Sequence, residues 1–201
     1  MAATKKVLLI NTHLKYPTFS DGNLNASFYK VAKDFFLSKD YEVLETMVED
    51  GYKPDEEEKK HLEADIVILQ MPANWFGAPW IYKKYVDEVF NYALYTKSFL
   101  LGDGRTPENP TAQYGTGGLM QGKKFMVCAT WNAPLEAFDD PNQVLLEGRG
   151  MADLLLPITS NYHFCGYDIM DSFNCFNIYR RTDIGKDVEN YPAHLAEVFG
   201  L

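Results

Sequence analysis

Short apolar runs alternate with amphipathic segments along this chain. Five runs have the length of strands, and several are continuously apolar, which is typical of strands buried on both faces of a parallel sheet. The predicted strands are Lys6–Asn11, Tyr41–Thr46, Asp65–Met71, Lys123–Thr130 and Tyr167–Ile178. The first intervening helix is indicated by apolar residues at helical spacing: Leu24, Phe28, Val31, Ala32, Phe35 and Phe36.

Four more helices are predicted between and after the strands. They are Pro54–Ala64, Trp80–Tyr95, Asn142–Asn161 and Pro192–Phe199. Pro157 is expected to interrupt the third of these, because proline lacks the N–H that a helix needs. The charged stretch Gly51–Lys60 is expected to be a solvated helix face, and Phe99–Gln121 is predicted to be a long irregular segment.

Strict alternation of strands and helices predicts an α/β fold with a parallel sheet and helices on both faces. Five strands in 201 residues fit a flavodoxin-like three-layer fold with a five-stranded parallel sheet better than a six-stranded dinucleotide-binding domain. The whole chain, residues 1–201, is expected to form one domain. Ligands of such sheets bind beyond the carboxyl ends of the strands, so the loops after Asn11, Met71 and Thr130 should share one site.

Composition and charge exclude several classes of protein. The chain is 46% hydrophobic, which suits a folded core, yet its longest apolar runs are far short of the roughly 20 residues of a membrane span. Lys and Arg number 19 against 28 Asp and Glu, so neither nucleic acid nor an anionic membrane is an expected partner. Three cysteines without a C-x-x-C pair, and no signal-peptide core in Met1–Lys6, predict a cytoplasmic location.

Aromatic residues are unusually frequent, at 14% of the chain. This content fits either an aromatic core or a site for a flat aromatic ligand, and composition does not choose between them. The positions of the aromatic residues are more informative.

The first loop of the predicted site ends in small polar residues at the start of a helix. These are Ser20, Asp21, Gly22, Asn23, Leu24, Asn25, Ala26 and Ser27. Such residues cap a helix and leave its first N–H groups free to bind a phosphate. An ordinary helix cap and turn is the alternative interpretation.

The second loop concentrates aromatic residues between two prolines. Trp75, Phe76 and Trp80 fall within six positions of one another. On a loop they form a candidate wall for a planar ring system, and the alternatives are a hydrophobic plug or a subunit contact.

The third loop, Thr130-Trp131-Asn132-Ala133-Pro134, offers backbone N–H groups and a further indole. It is a weak signal alone. Together the three loops suggest a phosphate cradle, an aromatic wall and a set of amide donors, which is the combination that a flavin nucleotide requires.

The remaining motifs carry less information. Tyr114-Gly115-Thr116-Gly117-Gly118-Leu119-Met120 fails as a dinucleotide fingerprint because no strand precedes it, although Tyr114 is available to stack on an adenine. The four histidines show neither catalytic nor metal-binding spacing, so no metal is expected. His13 follows the first strand and could touch a phosphate, although a satisfied loop histidine is the simpler interpretation. The cysteines are expected in the core rather than as nucleophiles.

Several motifs in register closely resemble the modulator of drug activity B family, whose members are flavodoxin-like NAD(P)H-quinone oxidoreductases. The carrying stretches lie between about residues 6 and 138, and the C-terminal third matches more loosely. They are Ser20–Asn25, Gln70-Met71-Pro72, Gly77-Ala78-Pro79-Trp80 with Lys83-Lys84-Tyr85, Asp103-Gly104-Arg105-Thr106, Tyr114–Leu119, Gln121-Gly122-Lys123-Lys124, and Thr130–Pro134 with Glu136-Ala137-Phe138.

The resemblance implies FAD as cofactor, NADPH (or NADH) as donor, a quinone as acceptor and a homodimer. It implies a ping-pong cycle in which donor and acceptor use one site in turn and no catalytic side chain is needed. The family's flavin contacts correspond to Ser20–Ser27, Ala73, Asn74, Trp75, Phe76, Tyr114, Thr130, Trp131, Asn132 and Ala133.

Two departures from the family pattern concern the acceptor. Ala73 and Asn74 replace a glycine–tryptophan pair, and Phe19 replaces a histidine before Ser20. The alternatives to a quinone reductase are a flavin-dependent azo or nitroaromatic reductase, a flavodoxin-type electron carrier, and a non-catalytic scaffold.

Overall fold

The computed structural model describes residues 4–18 and 20–201, and Phe19 lies outside the described residues. Six strands form one sheet: β1 (Lys6–Asn11), β2 (Glu42–Met47), β3 (Ile66–Pro72), β4 (Lys124–Thr130), β5 (Asp168–Ile169) and β6 (Phe173–Cys175). Five α-helices alternate with them: α1 (Asn23–Ser38), α2 (Pro54–Glu63), α3 (Trp80–Thr96), α4 (Met151–Cys165) and α5 (Gly185–Phe199).

All strand pairs in the sheet are parallel, in the order β2-β1-β3-β4-β5. This is the flavodoxin-like order, and it changes direction between β1 and β3, where ligands of this fold bind. The registers place Asn11 opposite Gln70 and Pro72 opposite Thr130. The carboxyl ends of β1, β3 and β4 therefore meet at one edge, as the sequence predicts.

Helices cover both faces of the sheet. One face packs Val7, Leu9, Ile66 and Ile68 against α1 and α5. The other face packs Leu8, Ile10, Val67 and Leu69 in a cluster that includes residues of α3 and α4. Alternate residues of each central strand point to opposite faces, so continuously apolar runs were needed to bury both.

The fifth strand position differs from the prediction. The single strand expected over Tyr167–Ile178 is two short strands, β5 and β6, each pairing with β4. Met170–Ser172 separates them. The mixed polarity of this stretch reflects its position on the edge of the sheet, where only one neighbour pairs with it.

Two predicted helices had wrong boundaries. Residues 142–150 form turns rather than the start of α4, and Pro157 lies inside α4 without ending it. Pro157 is solvent-exposed, so the carbonyl group that loses its intrahelical partner can bind water. The last helix begins at Gly185, seven residues before the predicted start, and contains Pro192.

The charged helix α2 is not fully solvated, contrary to the prediction. Glu57 is 1% exposed and its Oε2 accepts hydrogen bonds from Thr46 Oγ1 (2.7 Å) and Tyr85 Oη (2.9 Å). Its Oε1 accepts one from Lys60 Nζ (2.6 Å). Buried charges are tolerated when they are paired and hydrogen-bonded in this way.

Two further predictions concern long segments. Phe99–Gln121 contains no helix or strand, as expected, although Leu100 and Gly118 form an isolated bridge. Within residues 4–18 and 20–201, no helix has the length and apolar character needed to cross a bilayer.

Candidate functional site

A cleft of about 250 Å³ opens at the carboxyl edge of the sheet, where the loops after β1, β3 and β4 converge. Its walls also include two residues that follow β6, Ile178 and Tyr179. The predicted site residues that line it are Ser20, Asp21, Gly22, Asn23, Leu24, Asn25, Ala73, Asn74, Thr130 and Asn132. Residues distant in sequence thus meet where the strand order of the sheet predicts a ligand.

The start of α1 provides unpaired N–H groups at this cleft. Gly22 is the N-cap residue, and because glycine has no side chain it makes no capping hydrogen bond to the first turn. The N–H of Ala26 is the first to be bonded within the helix, to Gly22 O (2.8 Å). The preceding amides of Asn23, Leu24 and Asn25 are therefore placed to bind an anion, which the helix dipole also favours.

Gly22 is required here for two reasons. Its φ of 77° lies in the left-handed region, and a Cβ atom would lie 2.4 Å from His13 Cε1. The His13 ring in turn lies 3.2 Å from Ser20 Oγ through Nε2. The backbone of the first turn thus passes close to the imidazole only because residue 22 has no side chain.

His13 lines the cleft as an uncharged side chain at neutral pH. Partial burial lowers the pKa of its imidazole below the ordinary value of 6.5. The ring therefore offers one N–H donor and one acceptor, rather than a charge, to a ligand at the helix start. Its bond to Ser20 supports the interpretation of a satisfied loop histidine, and its position in the cleft supports a ligand contact as well.

The second loop is a tight turn whose two central residues are both in the left-handed region. Asn74 and Gly77 exchange backbone hydrogen bonds of 2.8 and 3.2 Å, and between them Trp75 and Phe76 have φ values of 50° and 66°. Two consecutive bulky residues in this conformation carry strain, which is typical of functional sites. Trp75 is 95% exposed, so the described chain alone does not hold its indole over the cleft.

A second pocket of about 390 Å³ adjoins the cleft. Tyr16, Ala73 and Asn74 line both spaces, and the remaining walls of the second are Trp75, Ala78, Pro79 and Trp80. Among the described residues, no charged side chain lines this second pocket. A planar, uncharged molecule lying here would contact a ligand in the cleft.

The third loop contributes less than the sequence suggests. The Trp131 N–H donates to Cys175 O (2.7 Å), and the indole is 2% exposed with Nε1 donating to Asn174 Oδ1 (2.9 Å). Trp131 therefore anchors the third loop to β6 and offers neither its indole nor its amide to a ligand. Thr130 and Asn132, on either side, do line the cleft.

Seven predicted site residues do not line the cleft in the described structure. They are Ala26, Ser27, Trp75, Phe76, Tyr114, Trp131 and Ala133. Ala26 and Ser27 are exposed on the first turns of α1, beyond the free amides. Tyr114 lines a separate groove between α3 and α4, where its ring lies 5.4 Å from that of Phe164.

Sequence reasoning missed five residues of the cleft: Leu14, Tyr16, Pro72, Ile178 and Tyr179. The last two follow β6, so applying the carboxyl-edge rule to the final strand position would have found them. Leu14 and Tyr16 lie in the loop after β1, where no residue pattern distinguishes residues that line a cleft from residues on the open surface of the protein.

The cysteines lie in the core, as predicted. Cys128, Cys165 and Cys175 are free and buried. Burial raises the pKa of each thiol to about 12, so each remains protonated and unreactive at neutral pH.

Comparison with known proteins places the chain among relatives of similar length. The family model for the flavodoxin-like fold matches residues 5–198. The NADPH:quinone oxidoreductase MdaB of Haemophilus influenzae is 39% identical over 184 residues, which cover 90% of this chain and 93% of that protein. An uncharacterized protein of Schizosaccharomyces pombe is 36% identical and covers 97% of each chain.

The fold is also that of solved structures. A putative quinone reductase from Klebsiella pneumoniae superposes with a TM-score of 0.75 at 19% identity, covering 96% of this chain and 84% of that one. At that identity the likeness concerns the fold alone, whereas the curated relative and the family model confirm the resemblance predicted from the sequence. The chain belongs to the flavodoxin-like family that includes the modulator of drug activity B proteins.

Proposed function

We propose that this protein is an FAD-dependent NAD(P)H:quinone oxidoreductase that reduces quinones to hydroquinones by two electrons. The observation that carries the proposal is the cleft at the carboxyl edge, where the free amides of α1 face a space that continues into a neutral, aromatic pocket. The class of enzyme follows from the likeness to the Haemophilus influenzae protein named NADPH:quinone oxidoreductase.

The residues present fit a flavin nucleotide. A phosphate matches the amides of Asn23, Leu24 and Asn25. Gly22 allows this first turn to lie against the His13 ring, which a Cβ would displace. The ring system would lie along Pro72, Ala73 and Asn74, with the polar backbone of the second loop at its edge. A bound flavin supplies the two-electron redox chemistry, which no side chain of this cleft provides.

The chain's own residues bind and orient the reactants. Tyr16, Ala73 and Asn74 face both the cleft and the second pocket, so a ring in that pocket lies against whatever fills the cleft. The nicotinamide and the quinone would occupy this second pocket in turn, which is the basis of a ping-pong cycle. Holding both reactants at contact distance lowers the entropic part of the barrier.

The flavin, the electron donor, the assembly and the location are proposed on separate grounds. FAD rather than FMN, and NADPH as donor, follow from the family resemblance. A homodimer is supported by exposed apolar side chains beside the groove between α3 and α4: Leu94, Tyr95, Tyr114 and Leu156. Tyr114 does not line the cleft of its own chain, so the flavin contact that the resemblance implies for it would require a second copy. Three unpaired cysteines suit the cytoplasm.

The proposed function is tested by loading the purified protein with FAD and titrating it anaerobically with NADPH, followed by a quinone. The flavin absorbance should bleach on NADPH addition and return when menadione is added. Steady-state rates with varied NADPH and quinone should give parallel double-reciprocal lines.

Three results would contradict the proposal. A colourless protein that binds no added FAD would indicate a scaffold. A large preference for an azo dye over a panel of quinones would indicate the azo reductase alternative. A reduced protein that passes single electrons to a protein acceptor but not to quinones would indicate a carrier.

A further inference from the structure

Three carboxamide side chains form a continuous chain of hydrogen bonds beneath the start of α1. Asn25 Nδ2 donates to Asn11 Oδ1 (2.8 Å), and Gln70 Nε2 donates to Asn25 Oδ1 (3.0 Å). Asn11 and Gln70 are register partners at the ends of β1 and β3, so Asn25 joins the helix to both strands at once. We call these three side chains the amide relay.

The direction of every hydrogen bond in the amide relay is fixed by one backbone group. The His13 N–H also donates to Asn11 Oδ1 (2.9 Å), so this atom of Asn11 must be the carbonyl oxygen. Asn25 must then present its NH₂ group to Asn11 and its oxygen to Gln70. Turning any of the three amides would bring two donors or two acceptors together, so only one arrangement satisfies all contacts.

The amide relay carries a cost that packing does not explain. Gln70 is 2% exposed, and its Oε1 has no hydrogen-bond partner within the described residues. An unsatisfied buried acceptor destabilises a fold, and an apolar side chain would avoid the cost. The glutamine must turn its NH₂ group towards Asn25, and this leaves the oxygen unpaired.

Asn25 also interrupts an apolar pattern. The buried face of α1 continues as Phe28, Ala32 and Phe36, and Asn25 occupies the next position of that face towards the N-terminus at 3% exposure. On the face of the sheet that packs against α1, β1 and β3 carry apolar residues up to Asn11 and Gln70. On β1 and β3, polar residues replace apolar ones at this end of the layer, beside the cleft. Departures from a local rule are expected where function requires them.

We infer that Asn11, Asn25 and Gln70 are positioning residues that fix the first turn of α1 so that its free amides meet the flavin phosphate. This inference rests on the proposed function, because it assigns the phosphate end of the same site. The Asn25 side chain is held from below by β1 and β3, while its backbone N–H belongs to the free first turn. Loosening the side chain therefore misplaces the donor.

The test uses two variants that break the amide relay at different links. Gln70→Met keeps the length of the side chain and removes both the donor and the unpaired oxygen. Asn25→Ala removes the central amide and suits a helix. The measurements are the melting temperature of the flavin-free protein and the dissociation constants of FAD, FMN and riboflavin, of which riboflavin lacks a phosphate.

We expect both variants to weaken FAD and FMN binding by roughly tenfold or more, and riboflavin binding by less than about twofold, in line with a lost hydrogen bond at an anion site. Gln70→Met should melt close to the wild-type temperature, because it removes the unpaired Gln70 Oε1 and leaves Asn25 Oδ1 without its donor in exchange. Gln121→Met is the matched control: Gln121 bonds a carbonyl group too, but it precedes β4 at the opposite edge, and its variant should bind all three flavins normally.

Unchanged FAD and FMN affinity in both variants would overturn the amide relay, as would equal losses for riboflavin. If one variant does not fold, the other carries the test with the same outcomes. Failure of the proposed function gives a different result, since the wild-type protein itself would then bind neither FAD nor FMN.

Discussion

Replacing Gly22 with alanine should damage the flavin site more than it damages the fold. The left-handed conformation of residue 22 costs a non-glycine residue roughly 1–2 kcal/mol, which corresponds to a fall in melting temperature of about 2–8 °C for a chain of this size. The new Cβ would lie 2.4 Å from His13 Cε1. Normal carbon contacts are about 3.5 Å or longer, so the ring must move by about 1 Å.

That displacement determines the effect on binding. The His13 ring lies 3.2 Å from Ser20 Oγ. Moving the ring breaks this contact and pushes the imidazole into the cleft beside the free amides. We expect FAD affinity to fall by roughly tenfold or more, the equivalent of about 1.4 kcal/mol. The assay is a titration of flavin fluorescence, with the melting temperature of the flavin-free protein measured in parallel.

A matched control separates strain from the clash. Gly200 is also left-handed, with φ 68° and ψ 45°. Apart from its chain neighbours and its own helix backbone, no described residue has a heavy atom within 4 Å of an added Cβ. Gly200→Ala should therefore share the backbone strain and retain FAD affinity. Adding His13→Ala to Gly22→Ala should recover part of the FAD affinity that Gly22→Ala loses. A Gly22→Ala protein that melts lower but binds FAD as tightly as the wild type would refute the reasoning.

Three further predictions concern stability and reactivity. Burial lowers the pKa of His61 to about 3, whereas the same imidazole in the unfolded chain titrates near 6.5. The contribution of His61 to the free energy of unfolding is therefore complete above pH 6.5 and is lost as the pH falls towards 3. Urea denaturation should show the free energy of unfolding decreasing by up to about 1.4 kcal/mol per pH unit in this window from His61, and His61→Asn should remove that part of the slope. Glu57→Ala should cost on the order of 3 kcal/mol, because it leaves Lys60 without its buried partner, whereas Glu56→Ala at an exposed pair should change little in the same assay. The three cysteines should react with a thiol reagent only after denaturation. A thiol that reacts in the native protein as fast as a surface cysteine would contradict their burial.

The central strands were predictable from the sequence because burial on both faces leaves a continuous apolar run. β1 has the predicted limits, β3 is shifted by one residue at both ends, and β4 begins one residue later than predicted. The convergence of three loops on one site followed from strand order alone. The edge strands β5 and β6 pair on one side, so their sequence carries a weaker pattern and their division was not foreseen.

Prolines misled the helix boundaries. Pro157 was predicted to interrupt a helix and Pro192 to begin one, yet both lie within helices. The rule that proline breaks a helix assumes that the freed carbonyl group has no other partner. At an exposed position such as that of Pro157, water can donate a hydrogen bond to the freed carbonyl group. This information belongs to the tertiary structure and not to the local sequence.

Burial of polar residues was also beyond local reasoning. Glu57 is held by Tyr85, 28 residues away, and Asn25 by Gln70, 45 residues away. Nothing near either residue in the sequence reveals such partners. The aromatic loop also holds a conformation that composition does not reveal, because its turn has two left-handed residues and leaves Trp75 95% exposed at the edge of the second pocket.

A crystal structure of the protein with FAD is the decisive experiment for this site. We expect phosphate oxygens within hydrogen-bond distance of the amides of Asn23, Leu24 and Asn25, and the ring system along Pro72, Ala73 and Asn74. A flavin bound elsewhere in a protein that still reduces quinones, with the first turn of α1 left open to solvent, would contradict it.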